Sequence, residues 1–210
     1  MRKFILVLIF LFLCSLQVNA ASNHIQGGHY QGGVVGGGGA VALSCTGATI
    51  QQQDTTNSAM REIGEYATTD YWGYKVTYSG TTGTVCSLKV TLSRNNDTSP
   101  TGNLYIYFRA DNSSHPSGSN LSTGSYSGNG YIAMTSLTTT PTEYTFSMSD
   151  ATISNGTVYW IVAYYDSANS TNFPKFAKHY GASGEDDSAD GSAWTNIGTS
   201  GPVFKIYIKE

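Results

Sequence analysis

The sequence predicts an all-β protein, an antiparallel β-sandwich of jelly-roll kind with about seven to nine strands. Three observations predict it. Apolar residues recur at every second position in several separate segments, which is the period of a strand with one buried face. Turn chemistry stands between those segments, and none of them sustains a helical period. Charged residues make up 12% of the chain while glycine alone contributes 24 residues, a balance that suits strands joined by polar turns rather than surface helices held by ion pairs.

The chain opens with Arg2 and Lys3, an apolar run from Phe4 to Leu13, and Val18-Asn19-Ala20 before Ala21. That is the grammar of a secretory signal peptide over residues 1–20, cleaved after Ala20. The apolar run is too short to span a bilayer of about 30 Å, and no other segment approaches the roughly 20 apolar residues of a membrane helix. Cys14 follows Leu13, where a lipid-attachment signal wants a small residue. The mature chain is expected to be secreted and extracellular, without a transmembrane segment.

Removing the signal leaves nine basic and fourteen acidic side chains, a net charge of −5. A phosphate backbone demands a basic patch, so no nucleic-acid partner is expected. Residues 21–45 read as a glycine-rich flexible leader, with GGHYQGGVVGGGG at its centre. His24 and His29 within it read as linker residues rather than copper or nickel ligands, because no carboxylate or thiol lies nearby to complete a site. Residues 46–210 then form a single β-sandwich domain. Cys45 and Cys86 are the cysteines that survive cleavage. Two buried thiols are the competing reading, but export favours a disulfide, and closing a loop of about 40 residues is worth on the order of 4 kcal/mol in the chain-entropy model.

Along the domain, Val41 to Leu43 suits an edge strand, and Ser58 to Tyr66 carries enough Ala, Met, Arg and Glu for one or two helical turns. Trp72, Tyr74, Val76 and Tyr78 alternate with Tyr71, Gly73, Lys75 and Thr77. After a turn at Ser79 to Gly83, Cys86, Leu88, Val90 and Leu92 share one face of a second strand. Ser99-Pro100-Thr101-Gly102 and His115-Pro116-Ser117-Gly118 both place proline and glycine where a type I turn wants them, predicting sharp bends at each. Between them Leu104, Ile106 and Phe108 face a core, while Tyr105, Tyr107 and Arg109 face the other way. Tyr144, Phe146 and Met148 mark a further strand. Asn155-Gly156 is a turn that feeds TVYWIVAYY, a strand apolar on both faces that belongs in the middle of a sheet. Phe204, Ile206 and Ile208 close the chain in alternation.

The order CSLKVTLSRNNDTSPTGNLYIYFRADNSSHPSGSNLSTGS, EYTFSMSDATISNGTVYWIVAYYDS and AWTNIGTSGPVFKIYI resembles a group of bacterial and phage extracellular β-sandwich domains, of the choice-of-anchor type. The motifs that carry the resemblance are Pro100, Gly102 and Asn103; Asp111, Pro116 and Ser117; Gly156, Thr157, Tyr159 and Trp160; and Trp194 with Phe204 and Tyr207. They span about Tyr71 to Ile208. The resemblance implies a domain of surface, secreted or tail-associated proteins, similar to jelly-roll carbohydrate-binding modules and without established catalytic residues. No sorting signal or anchor is recognisable after the domain, where many relatives carry one.

The chemistry of the side chains points the same way. A serine hydrolase needs a nucleophile elbow with a histidine base and an acid, and neither Gly-x-Ser-x-Gly nor a partnered His115 or His179 is legible. Glu143 and Asp166 read as a surface strand position and a turn residue, not as a glycosidase pair. No enzyme is expected. Asp186, Ser188 and Asp190, followed by Gly191, open like a calcium loop, but Ile197 stands where the bidentate glutamate belongs. No cofactor is certain, and structural calcium is the candidate. Sugar binding calls for aromatic rings beside hydrogen-bonding side chains. Tyr105, Tyr107, Arg109 and Trp194 fit that requirement. The expected function is a secreted, non-catalytic module that binds a glycan or extracellular surface polymer, or attaches to a surface. The alternative is a purely structural or adhesive domain of an extracellular or phage-tail assembly.

Overall fold

Alternation builds strands throughout, and every described strand pair is antiparallel. The computed structural model describes residues 45, 49–53, 59–64, 71–167, 171–179, 184–188, 190–198 and 200–209. The signal peptide, the leader up to residue 44 and the expected strand at Val41 to Leu43 lie outside them.

Fourteen strands form among the described residues: β1 (Thr49–Gln53), β2 (Ala59–Glu62), β3 (Tyr71–Thr77), β4 (Gly83–Arg94), β5 (Asn103–Asn112), β6 (His115–Ser125), β7 (Ile132–Ala133), β8 (Thr142–Ile153), β9 (Val158–Tyr165), β10 (Pro174–His179), β11 (Glu185–Ser188), β12 (Thr195–Gly198), β13 (Gly201–Pro202) and β14 (Phe204–Lys209). A single 3₁₀ turn at Met134–Ser136 is the one helical element among the described residues. The expectation of about seven to nine strands was too low. The additional ones are short, and two to five residues are too few to display a period of two.

Hydrogen bonding runs β1-β14-β4-β8-β6-β5-β9-β3-β11-β12, with β10 joining β4, β2 and β13, and β7 joining β5. Strand β6 links the two halves of this path. Its residues up to Thr123 pair with β5, while Gly124 and Ser125 pair with Met148 and Ser147 of β8. Buried side chains of both halves form one cluster, including Tyr74, Leu88, Ile106, Phe146, Ile161 and Ile206. Tyr74 of β3 and Phe176 of β10 meet across it with ring centroids 5.3 Å apart.

Three local expectations are corrected. Ala59–Glu62 is a strand, because pairing with Lys175 to Lys178 of β10 overrides its helix propensity. The chain reverses at Ser113 and Ser114, both at positive φ, and the Pro116 motif lies within β6. A bulge between Val85 and Ser87 turns Cys86 away from the face shared by Val85, Leu88 and Val90, which line the core. Cys86 instead bridges to Cys45, with their Cα atoms 5.9 Å apart.

Candidate functional site

The outer face of the β11-β3-β9-β5 layer carries the site. Cross-strand register sets Tyr71 of β3 opposite Tyr164 of β9, and Tyr164 opposite Tyr105 of β5. Neighbouring strands lie about 4.8 Å apart, so side chains in register are forced into contact. Tyr71 and Tyr164 stack with centroids 4.3 Å apart and planes 17° from parallel. Tyr105 continues the row, 5.5 Å from Tyr164 and 6.2 Å from Tyr107. The row ends in rings turned out of the stack, with Tyr131 tilted by 54° against Tyr105 and Trp194 at 78° to Tyr71. All six rings are half-buried. Inside the row the faces of Tyr71 and Tyr164 cover one another, while the two end rings are turned out of that stack.

Polar groups flank the row. At one end Asp166 accepts from the backbone and side-chain nitrogens of Asn103 at 2.7 and 2.9 Å, with the Tyr105 hydroxyl at 3.5 Å. Toward the other end the face is closed. A Cβ on Gly73 would stand 3.0 Å from Pro116, 3.2 Å from Trp194 and 3.3 Å from Trp160, so a larger residue would crowd the rings that lie on the β3 backbone. Trp160 is fully buried there and donates its Nε1 hydrogen to Asp111 at 2.8 Å. One face of β9 thus lies under Pro116 and Trp194, while Tyr159, Ile161, Ala163 and Tyr165 on the other join the core.

Arg109 sits beneath this closed end, 6% exposed. Its Nε donates to the Asn120 Oδ1 at 2.7 Å, and its Nη1 to the carbonyls of Ser117 and Gly191 at 3.2 Å each. The guanidinium lies 5.5 to 5.9 Å from the ring centroids of Tyr107, Tyr71 and Trp194. The four residues singled out as a sugar site therefore come together, but Arg109 ties β6 to the turn at Gly191 rather than facing solvent.

Of the calcium candidates, Ser188 and Asp190 stay together, the Ser188 hydroxyl 3.2 Å from the Asp190 Oδ1. Asp186 lies in β11, fully buried, with Oδ2 2.7 Å from the His115 Nδ1 and Oδ1 accepting from the Asn196 Nδ2 at 3.2 Å. The Ser188 hydroxyl accepts from the Gly191 N–H at 2.9 Å. Asp190 takes the Ser192 and Ala193 N–H groups, which hold its carboxyl well below the usual range. These contacts describe a strand followed by a side-chain-capped turn. Among the described residues, no three His, Cys, Asp or Glu side chains gather as metal ligands do. Glu143 is a surface group, paired with Lys205 at 2.7 Å and Lys89 at 3.1 Å.

Burial first, then the neighbouring Tyr71 and Tyr105, pushes the Tyr107 hydroxyl up to about 12, and burial does the same for Tyr165. A tyrosine in the unfolded chain titrates near 10. Between about pH 10 and 12 the unfolded chain releases protons that the folded chain keeps, so stability is fully present below that window and falls as pH rises through it. Urea midpoints measured across the window should decline steadily. A flat profile there would contradict the burial of these hydroxyls.

The sequence matches no protein-family model and no curated protein. Solved structures do resemble it. One is the crystal structure of the cysteine protease and lectin-like domains of Cwp84, a surface layer associated protein of Clostridium difficile, with a TM-score of 0.52 at 10% identity. What is shared is the fold. The likeness covers 78% of this chain and 36% of that one. A clostridial cysteine protease Cwp84 structure after propeptide cleavage gives a TM-score of 0.55 at 9% identity, covering 78% of this chain and 40% of that one. The chain thus spans well under half the length of either.

Sequence reasoning missed Tyr71, Tyr164 and Tyr131. Tyr71 was visible as an off-core position of its strand, Tyr164 was hidden in a strand apolar on both faces, and only the long-range register places them beside Tyr105.

Proposed function

We propose that the chain is a secreted, non-catalytic β-sandwich module of jelly-roll kind that binds carbohydrate or an extracellular surface polymer. The observation that carries this reading is the outward row of six aromatic side chains with Asn103 and Asp166 at its end. Tyrosine hydroxyls and carboxylate or amide groups suit a ligand rich in hydroxyls, and the turned rings of Trp194 and Tyr131 suit the C–H face of a sugar. Fold likeness to a chain whose description names a lectin-like domain and a surface layer supports this direction, and a disulfide supports an extracellular location. The non-catalytic part rests on chemistry. Cys86 and Cys45 are joined and supply no thiolate nucleophile.

A glycan array probed with the mature protein tests the reading. Tyr164→Ala removes the middle of the row and should weaken any binding found by more than about tenfold, while costing roughly 1 to 2 kcal/mol of stability from a half-buried stacked pair. Silence of the wild type across the array, or unchanged binding by this variant, ends the assignment. The structural or adhesive alternative is favoured by β12, an edge strand whose Thr195, Asn196 and Ile197 are exposed. It predicts concentration-dependent association in light scattering, abolished by a lysine at Ile197.

A further inference from the structure

The described chain contains two Asn-Gly pairs, Asn129-Gly130 and Asn155-Gly156, and both are exposed. Their backbones differ. The Gly156 N–H donates to the Tyr78 carbonyl at 2.7 Å, and Gly156 is fixed at φ 74° in the turn between β8 and β9. Asn129 closes a two-residue hairpin against Tyr126, through Ser127 and Gly128 at positive φ. Its Gly130 follows in open space: a Cβ there would meet nothing within 4 Å, and no described residue accepts the Gly130 N–H.

We propose that Asn129 is a site of spontaneous deamidation and isomerisation at the rim of the aromatic row, and that Asn155 is protected from the same reaction. The Gly130 nitrogen gives up its proton and attacks the Asn129 side-chain carbonyl carbon. The new C–N bond closes a five-membered succinimide as the amide leaves as ammonia. Water then adds to either ring carbonyl and opens the ring to aspartate or isoaspartate, so the balance is one water consumed and one ammonia released. Glycine permits the attack because no side chain restricts its backbone or shields its nitrogen. At Asn155 the attacking nitrogen must first surrender a short hydrogen bond and leave a fixed turn.

The location gives the reaction a consequence. Tyr131 is two residues on, and its ring is 5.7 Å from Tyr105 at the end of the row. Conversion places a new carboxylate two residues before Tyr131, and the isoaspartyl form adds a methylene to a hairpin closed by the two hydrogen bonds between Tyr126 and Asn129. The inference stands whether or not the row binds sugar, since its readout is covalent.

Folded protein held in mildly alkaline buffer, with peptides mapped by mass spectrometry at intervals and ammonia measured, tests it. Asn129 should convert at least about tenfold faster than Asn155, and the two rates should converge in denaturant. Gly130→Ala, whose methyl group has room, should slow conversion at Asn129 without lowering the melting midpoint. Equal rates at the two sites in the folded protein, or an Asn129 that remains an amide, would overturn the proposal.

Discussion

Replacing Cys45 and Cys86 together by serine is expected to lower the unfolding free energy by about 4 kcal/mol and the melting midpoint by about 10 °C. The bridge spans 41 positions of sequence, and an unfolded chain freed of it gains loop entropy that grows with the logarithm of that length. Its placement adds a local effect. Cys86 is the extra residue of the β4 bulge, and Cys45 lies just before β1, which pairs with β14 alone. The bridge therefore ties an edge strand to the centre of its sheet. Calorimetry of the double variant measures the global term, and hydrogen exchange should show β1 amides losing protection beyond the rest of β14 and β4. A midpoint within about 2 °C of the wild type would mean that the loop is already constrained without the bridge.

Long alternating segments carried most of the fold. Leu104, Ile106 and Phe108 are buried while Tyr105 and Tyr107 face outward, as a period of two demands when one face packs on a core. What stayed hidden depended on partners distant in sequence. Ala59–Glu62 has helix-forming residues and becomes a strand because β10 offers it a ladder. Glu185–Ser188 overlaps the stretch whose spacing reads as the opening of a calcium loop, yet it is a strand between β3 and β12 with Glu185 and Asp186 buried. Asp186 is hydrogen-bonded by His115 and Asn196 from other elements, whereas Glu185 is held by the longer ion pairs to Arg61 at 3.7 Å and Lys178 at 3.8 Å, its Oε1 having no hydrogen-bond partner among the described residues. The bulge at Cys86 left no mark in an alternation that continues through it by eye.

The candidate site was legible in the same measure. One strand announces Tyr105, Tyr107 and Arg109 on a shared face, and Trp194 stands out as an aromatic ring in a polar stretch. Register then adds Tyr71 and Tyr164 and turns two ring pairs into a continuous row. A period of two predicts which face a side chain takes but is silent on whether that face stays open. Pro116 and Trp194 close half of it over Trp160, and this decides the role of Arg109.

Arg109→Ala is accordingly expected to destabilise the protein by about 2 to 4 kcal/mol, lowering the melting midpoint by roughly 5 to 15 °C. A ligand contact would hold its donors toward solvent, whereas this guanidinium is 6% exposed and donates to Asn120, Ser117 and Gly191. Removing it leaves a cavity beneath Trp194 and strips a charged donor from the carbonyl of Gly191, a buried residue. Burial disfavours the charge, while the hydroxyls of Tyr71 and Tyr107 oppose that effect, so the hydrogen bonds rather than bare Coulomb attraction carry its contribution. Arg109→Lys should recover only part of the loss, because an ammonium is a point charge that does not reproduce the planar fork spanning β6 and the Gly191 turn. Glycan binding measured well below the variant's midpoint separates the two roles. An Arg109→Ala protein that melts with the wild type yet loses binding would make this residue a ligand contact; one that melts early, with Trp194 fluorescence shifted toward that of a solvated indole, confirms a brace that positions the ring from below.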